Sequence, residues 1–376
     1  MKRLFFALLL LCATIAAEAC TSAIVSGKLT ANGRPMLWKN RDTNDQNNRV
    51  ERVKAHDGLY EFVALFDARD TRDTAAWMGF NEKGFAIMNT ASYNLNIDKV
   101  PEKDMDKEGL VMRIALERCV TVDDFEQLLN SLPQPRGVEA NFGVLAAQGN
   151  AAYFETGNYS CTKFDLNDEP SGIMTRTNYS YSGIRDKGYG YIREANEKYL
   201  LKKHISKKDI TPAVFTEEIS RTFYHSLFGM NYNNGSQQYV VDQDFIARSI
   251  STASMVIEGV LPGEDPSLTT AWVALGYPPC ADVFMCNIGE GGVPKVLNGT
   301  GKDNHSPQCD VVNQREAEVF SIKRGSGKSY INLHKLYNDK GTGYCQVLTR
   351  KNMQVYAEGY KKLAQRRAML NNLTTK

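Results

Sequence analysis

Cys20 is the residue with the clearest capacity for catalysis, because it directly follows a segment that has the features of a targeting signal. The chain opens with Lys2 and Arg3, continues with an apolar run over residues 4–15, and reaches the small-x-small sequence Ala17-Glu18-Ala19. Cleavage after Ala19 would leave Cys20 as the first residue of the mature chain. We therefore expect residues 1–19 to be a signal peptide and the remaining protein to be secreted or periplasmic.

A cysteine at a chain start carries a nucleophile and a base within one residue. Its α-amine has a reference pKa of about 7.7 to 8.0, so the amine is partly neutral at working pH and can accept the thiol proton. Such a residue needs no histidine, and the five histidines of this chain form no Cys-His signature. The expected chemistry is acyl transfer through a thioester, with amide donors stabilising the oxyanion.

A lipoprotein is the alternative at the same position, because a cysteine directly after a signal can receive lipid. Lipid-modification signals usually place a Leu-like residue three positions before the cysteine, and here that residue is Ala17, followed by the acidic Glu18. The fit is poor, but a non-enzymatic, ligand-binding lipoprotein stays open. Acylation of the Cys20 amine would remove the base described above.

The number of cysteines also sets Cys20 apart. Without Cys12 in the signal, the remaining cysteines are Cys20, Cys119, Cys161, Cys280, Cys286, Cys309 and Cys345. An odd number in an exported protein indicates one free thiol, and the other six would form up to three disulfides or stay as buried thiols. Because no Cys-x-x-Cys pair is present and histidines are few, we expect no metal site.

Length and charge restrict the class of protein. The chain has 376 residues, of which 42% are hydrophobic, and a formal net charge of +2. These values are typical of a globular protein with a sizeable core and give no indication of nucleic acid as a partner. After the signal, no apolar stretch is long enough to span a membrane. We expect a single domain over residues 20–376.

The elements that must position Cys20 alternate between strands and helices. Asn32-Gly33 lies between the apolar segments 23–25 and 36–38, which predicts a β-hairpin. Further strands are predicted over residues 60–66, 75–80, 85–89, 142–147 and 151–155. Helices are predicted after Thr121, after Thr211-Pro212, and over about 186–203 and 352–370. This mixture favours a layered α+β fold in which helices cover antiparallel sheets.

Four segments together resemble a known family. They are Cys20-Thr21-Ser22 followed by Lys39-Asn40-Arg41-Asp42, then residues 79–89 (GFNEKGFAIMN), then Met174-Thr175-Arg176-Thr177-Asn178, and finally residues 245–248 (FIAR). The chain resembles the choloylglycine (bile salt) hydrolase and penicillin V acylase family of N-terminal-nucleophile hydrolases, including the isopenicillin-N acyltransferase-like hydrolases. The resemblance covers residues 20–290 and is strongest over 20–90.

The resemblance implies an αββα sandwich with two antiparallel sheets, cleavage of a linear amide, a small-molecule substrate and no cofactor. It also assigns catalytic roles by position. Cys20 would be the nucleophile, Asp42 would orient its amine, Asn178 would donate to the oxyanion, and Asn89 would bind the scissile amide. Arg248 would lie near the thiol and favour the thiolate.

The sequence departs from the family pattern three residues before Asp42. The family usually has an arginine there, whereas this chain has Lys39, and Arg41 stands one residue before Asp42. Lysine does not replace arginine where a planar fork grips a carboxylate. Either Arg41 takes over that contact or the substrate pocket is arranged differently, so Lys39 and Arg41 are candidate substrate-binding residues.

Several activities remain open at this point. Water would resolve the thioester in an amidohydrolase, whereas an amine would resolve it in an acyltransferase. Secreted cysteine dipeptidases of the same superfamily also begin with Cys-Thr. The sequence does not identify the amide substrate. The segment from about residue 291 onward does not resemble the family, and we expect it either to complete a sheet or to form contacts in a homo-oligomer.

Overall fold

The computed structural model describes residues 19–95 and 98–374. The predicted signal peptide therefore lies outside the described residues, apart from Ala19. The described part of the chain forms two large antiparallel sheets and five α-helices. The helices are α1 Glu108–Arg118, α2 Val122–Ser131, α3 Tyr191–Lys207, α4 Pro307–Val319 and α5 Tyr344–Thr374.

The first sheet has six strands in the order β10-β1-β2-β14-β15-β16. Its strands are β1 Thr21–Val25, β2 Met36–Asp42, β10 Ile173–Arg176, β14 Ser251–Glu258, β15 Thr270–Leu275 and β16 Val283–Asn287. Strands β1 and β2 form the predicted hairpin, with Ala23 opposite Trp38. The connection is longer than a tight turn because it includes a 3₁₀ turn at Gly27–Leu29, and Gly33 adopts a φ of 78°.

The second sheet is a meander of seven strands in sequence order. Its strands are β3 Asn48–Val53, β4 Phe62–Asp67, β5 Met78–Asn81, β6 Ala86–Ala91, β7 Ala140–Leu145, β8 Ala151–Thr156 and β9 Cys161–Asp165. The five strands predicted in this region are confirmed with small shifts at their ends. Two short strand pairs lie outside both sheets: β11 Tyr224–His225 with β12 Met230–Asn231, and β13 Tyr239–Val241 with β17 Tyr330–Asn332.

The core has three apolar layers, which follow from the alternation of side chains along the strands. In β15, Ala271, Val273 and Leu275 face the other sheet, and Trp272 faces the helices. One cluster fills the space between the sheets, a second joins the seven-stranded sheet to α1 and α2, and two more join the six-stranded sheet to helical segments that include α3, α4 and α5. The four-layer αββα sandwich that the resemblance implied is confirmed.

The helix predictions have mixed outcomes. The capping box before α2 is present, because the Thr121 and Asp124 side chains each accept from the other residue's backbone N–H. The helix predicted after Thr211-Pro212 is wrong as an α-helix, since the chain forms a π-helical turn at Val214–Glu218 and a 3₁₀ turn at Ile219–Arg221. There, the Thr216 hydroxyl donates back to the Pro212 carbonyl at 3.3 Å, a bond that competes with regular helix geometry.

The unmatched tail supplies most of the outer helical layer on the six-stranded sheet. Helix α5 packs on β16 and on Trp272 of β15, and β17 completes a short sheet with β13. Gly359 permits this contact, because a Cβ at that position would lie 2.5 Å from Cη2 of Trp272 and 2.9 Å from Sδ of Met285. Within the described residues, no helix has the length and apolar character needed to cross a membrane.

The close approach at Gly359 leads to a prediction about stability. Replacing Gly359 by Val should lower the free energy of unfolding by about 1 to 3 kcal/mol, because the buried Trp272 ring leaves no room for extra methyl groups. Ala357→Val is the matched control, since Ala357 is an exposed position of the same helix and should change stability by less than about 0.5 kcal/mol. Urea unfolding measures both, and equal losses in the two variants would contradict the packing described here.

Candidate active site

Cys20 lies at the end of the six-stranded sheet, one residue before β1. Thr21 pairs with Asn40 of β2 on one side, and on the other side Ser22 pairs with Arg176 of β10. Continued by two residues beyond the Ser22–Arg176 pair, the same register sets Cys20 opposite Asn178, which follows β10. Because side chains alternate along a strand, Cys20 shares the face of Ser22, which points toward the second sheet.

The backbone of Cys20 is held by two buried side chains. Its N–H donates to Oδ1 of Asn178 at 2.9 Å. Its carbonyl accepts from Nη1 of Arg193 at 2.6 Å, and the same nitrogen donates to Oγ1 of Thr21 at 2.9 Å. Nη2 of Arg193 donates to Oδ1 of Asn178 at 2.7 Å, so the three residues form a closed set of hydrogen bonds around the nucleophile candidate.

Arg193 was not identified from the sequence. It lies in α3 with 2% of its surface exposed, and burial, followed by the nearby charge of Arg248, lowers its pKa to about 10. A signal was present in the helix, because Arg193 and Glu197 lie on the same stripe as the core residue Leu201. Two charged residues on an inward stripe are unusual enough to suggest a function.

Asp42 forms a second buried group with Arg248. The Asp42 carboxylate accepts from Nη2 of Arg248 at 2.5 Å, from Oγ of Ser251 at 2.6 Å and from Nδ2 of Asn40 at 3.0 Å. Burial alone would lower the pKa of Arg248, but the charge of Asp42 and its hydrogen bond outweigh burial and raise that pKa. Ser251 and Asn40 are further site residues that the sequence did not indicate.

Asp42 and Cys20 both interact electrostatically with Arg193, but no hydrogen bond joins Asp42 to Cys20 in the described part of the chain. Arg193 lies within electrostatic range of Asp42, Arg248 and Cys20 at once. The atom that accepts from the Cys20 nitrogen is Oδ1 of Asn178. The expected contact of Asp42 with the amine therefore stays a prediction, as does the role of Asn178 as an oxyanion donor, since Asn178 presents its oxygen to Cys20.

Asn89 reaches the site from the second sheet. Its Oδ1 accepts from Nζ of Lys39 at 2.7 Å, and the same ammonium group donates to the Trp77 carbonyl at 3.0 Å. Lys39 lies in β2, Asn89 lies in β6, and both side chains are buried. The contact therefore connects the two sheets directly beside β1.

Arg41 does not replace the family arginine. Its guanidinium forms a salt bridge with Asp67 at 2.8 Å, donates to Oδ1 of Asn48 and lies 5.0 Å from the ring centre of Trp77. The contact with Asp42 is made by Arg248 instead. Of the two candidate substrate-binding residues, Lys39 is the one that touches another predicted site residue.

The seven described cysteines are all free thiols. Of the two alternatives left open for the other six cysteines, the described residues show free thiols and no disulfide. Burial raises the pKa of Cys119 to about 12 and that of Cys345 to about 11. Such thiols are poor nucleophiles.

A cavity of about 770 Å³ opens beside Arg248. Its walls include Asp242, Glu316 and Phe320. Burial, followed by the charge of Asp242, raises the pKa of Glu316 to about 8, and burial also raises the pKa of Asp242. The cavity therefore combines a largely neutral carboxyl group with the partly exposed side chain of Arg248.

Three solved structures illustrate the similarity of this chain to known proteins. A conjugated bile acid hydrolase mutant from Clostridium perfringens is 11% identical, with 73% of this chain and 93% of that chain covered and a TM-score of 0.44. A penicillin V acylase from Agrobacterium tumefaciens is 14% identical over 72% and 87%, with a TM-score of 0.38. A Caenorhabditis elegans N-acylethanolamine-hydrolyzing acid amidase ortholog is 13% identical over 65% and 94%, with a TM-score of 0.39.

Because these similarities are distant, the fold assignment is based on the two sheets and the helical layers of this chain. No curated protein shows significant sequence similarity to the chain.

A family model gives a closer assignment. The model for acyl-coenzyme A:6-aminopenicillanic acid acyl-transferase matches residues 29–237, more than half of the chain. The matched span includes Asp42, Asn89, Asn178 and Arg193, whereas Cys20 and Arg248 lie outside it. On this match the chain belongs to the acyl-coenzyme A:6-aminopenicillanic acid acyl-transferase family.

Proposed function

We propose that the mature chain begins at Cys20 and is an exported amidohydrolase that cleaves a linear N-acyl amide through a Cys20 thioester. The observation that carries this proposal is the closed set of hydrogen bonds among Cys20, Asn178 and Arg193. These bonds hold the backbone of Cys20 at both its nitrogen and its carbonyl, which supports a role as a positioned nucleophile. Family membership supports chemistry on an amide or acyl group.

Activation of the thiol is the first step of this mechanism. Once residues 1–19 are removed, the Cys20 nitrogen is an amine that keeps one N–H on Oδ1 of Asn178. In its neutral form the amine has a lone pair that takes the proton from the thiol. Arg193 and Arg248 lie within electrostatic range of Cys20, so their charges stabilise the thiolate that results.

The thiolate then attacks the carbonyl carbon of the substrate amide. A C–S bond forms, the carbonyl electrons move to the oxygen, and amide donors at the site stabilise that oxyanion. When the C–N bond breaks, the ammonium group of Cys20 returns its proton to the leaving amine. Water activated by the same amine cleaves the thioester, which releases the acid and restores the thiol.

The positions of the histidines support a mechanism without a histidine base. Within the described residues, none of them hydrogen-bonds to Cys20, and each has contacts elsewhere. These contacts are His56 with Asp57, His204 with Asp209 and Glu218, His225 with the Phe228 ring, His305 with Asp310, and His334 with the Gly235 carbonyl.

Acyl transfer to an amine is the second candidate, and the family match favours it, because the matched model is named for an acyltransferase. The two activities share the thioester and differ only in the acceptor that resolves it. Adding hydroxylamine or an amino acid amide during turnover measures the partition. A product ratio that favours the amine at millimolar acceptor would assign the chain to acyl transfer, whereas hydrolysis alone would support the amidohydrolase.

The first prediction concerns the nucleophile. Cys20→Ala should abolish turnover of the first amide found in a screen of N-acyl amino acids, bile-acid conjugates and dipeptides, because it removes the thiol that would form the thioester. Cys20→Ser should retain far less activity than the wild type, since a hydroxyl ionises much less readily than a thiol. Initial rates with purified, correctly processed protein measure both effects.

Cys161→Ala provides the control, because Cys161 is a free thiol of β9 that lies outside the site. It should keep full activity. If Cys20→Ala were correctly processed and active, the proposed mechanism would have to be abandoned.

The second prediction concerns pH. Activity should rise as the amine loses its proton, and the negative charge of Asp42 favours the protonated amine. Asp42→Asn removes that charge and leaves Arg248 without its partner, so the pKa of the amine falls and the rising limb of kcat/KM moves to lower pH. The maximal rate should also fall, because the Arg248 side chain loses its anchor.

The matched control for this experiment is Asp282→Asn. Asp282 is also a buried carboxylate, and its partners are Arg315 and Lys351. Removing Asp42 from its buried pair with Arg248 costs about 3 to 5 kcal/mol, so thermal unfolding must be recorded beside the rates. The cost for Asp282→Asn is smaller, because its partner Lys351 is mostly exposed. A limb that shifts equally in both variants, or in neither, would show that Asp42 does not act on the amine.

A further inference from the structure

Arg193 is a buried cation whose hydrogen bonds all go to neutral oxygen atoms. Within the described part of the chain, its guanidinium bonds the Cys20 carbonyl, Oγ1 of Thr21 and Oδ1 of Asn178, and no carboxylate forms a salt bridge with it. The side chain is 2% exposed. Burying an ion without a counter-ion is costly, so a cation in this position calls for a functional explanation.

The surroundings of Arg193 do not neutralise it. On its own helix, Glu197 is fully buried, and among the described residues neither of its carboxylate oxygens has a hydrogen-bond partner. Burial, followed by the charge of Glu194, raises the pKa of Glu197 well above its usual value, which disfavours the charged form that would neutralise Arg193. From the packed elements, Asp42 and Asp244 provide negative charge at longer range and Arg248 provides positive charge.

The orientation of the Asn178 amide depends on Arg193. The Cys20 N–H and the guanidinium can only donate, so both require the oxygen of Asn178, and the amide nitrogen then donates to the Ala91 carbonyl at 2.9 Å. Without the guanidinium, one of the hydrogen bonds that favour this orientation is lost. The carbonyl of Cys20 would also lose its buried donor.

We propose that Arg193 is a positioning residue for the Cys20 nucleophile. Its two terminal nitrogens fix the Cys20 carbonyl and the Asn178 oxygen relative to each other, so the amine points one N–H at Asn178 and its lone pair at the thiol. Its charge also disfavours a second positive charge on the amine, which keeps the base neutral. This inference rests on the proposed function of Cys20, and it adds a residue outside the expected catalytic set.

Two substitutions separate the geometry of Arg193 from its charge. Arg193→Lys keeps a cation but cannot bridge two acceptors with a planar fork, so kcat should fall about tenfold to a hundredfold while KM changes little. Arg193→Gln also removes the charge, which raises the pKa of the amine. The rising limb of the pH profile should then move to higher pH, opposite to the shift expected for Asp42→Asn, whereas in Arg193→Lys it should stay near its wild-type position.

A second readout does not need the substrate. The mature protein is treated with iodoacetamide from pH 6 to pH 10, and the modification of Cys20 is followed by peptide mass spectrometry. Arg193→Gln should shift the pH dependence of Cys20 alkylation upward. Arg221→Lys is the matched control, because Arg221 is equally buried but pairs with Glu217 and bonds the Pro278 and Ala281 carbonyls. It should unfold at lower temperature without any change in the Cys20 profile.

The outcomes distinguish this inference from the proposed function. If Cys20→Ala retains turnover, the proposed function fails, and the inference fails with it. If Cys20 is essential but both Arg193 variants keep the wild-type kcat and alkylation profile, only the inference is overturned. Should the Arg193 variants not fold, Thr21→Val removes one acceptor of the guanidinium. A loss of about threefold to tenfold in kcat there would support the inference, and a wild-type rate would overturn it.

Discussion

The site depends on the hydrogen bonds that Arg193 makes to the Cys20 carbonyl and to Oδ1 of Asn178. A residue that precedes a strand is normally among the least constrained parts of a sheet, because it has neighbours on one side only. Here the register of β1 with β2 and β10 places Cys20 between two other strands of the sheet. Helix α3 provides the buried guanidinium of Arg193 from the helical layer. The cost of burying that charge is offset by the oxygen atoms it bonds.

The two faces of the six-stranded sheet contribute different groups to the site. On the face toward the second sheet, Lys39 bonds Asn89 and so connects β2 with β6. On the face toward the helices, Asp42 pairs with Arg248, and Arg193 lies close to both. Cys20 therefore lies where Arg193 and Arg248 provide positive charge, next to the place where Lys39 and Asn89 connect the two sheets.

The sequence predicted the fold well where side-chain periodicity is strong. The alternating strands from β4 to β8 and the capping box at Thr121 are local patterns, and the structure contains them. The helix after Thr211 was predicted as a regular α-helix, whereas the chain forms a π-helical turn and a 3₁₀ turn there, and the spacing of apolar residues does not distinguish these forms. The tail was not placed, since its contacts with β15 and β16 are long-range and Gly359 alone gives no hint of the Trp272 ring above it.

The candidate site was predicted only in part for a related reason. Motifs identified Cys20, Asp42, Asn89, Asn178 and Arg248, and the structure brings these residues to the same end of the six-stranded sheet or against it from the neighbouring sheet. Arg193 and Ser251 were missed because they reach the site through tertiary packing from α3 and from the start of β14. The structure was also needed to see which of Lys39 and Arg41 contacts a predicted site residue. Both side chains face the second sheet, but Lys39 bonds Asn89 whereas Arg41 pairs with Asp67.

The most direct test of the central claim is an intact-mass measurement on the protein produced from the full sequence, before and after treatment with iodoacetamide, combined with an activity assay. If Cys20 is the N-terminal nucleophile, the active protein begins at Cys20, and inactivation accompanies a single adduct that peptide mapping locates on that residue. Active enzyme that retains Glu18 or Ala19, or full activity after Cys20 has been completely alkylated, would contradict this account.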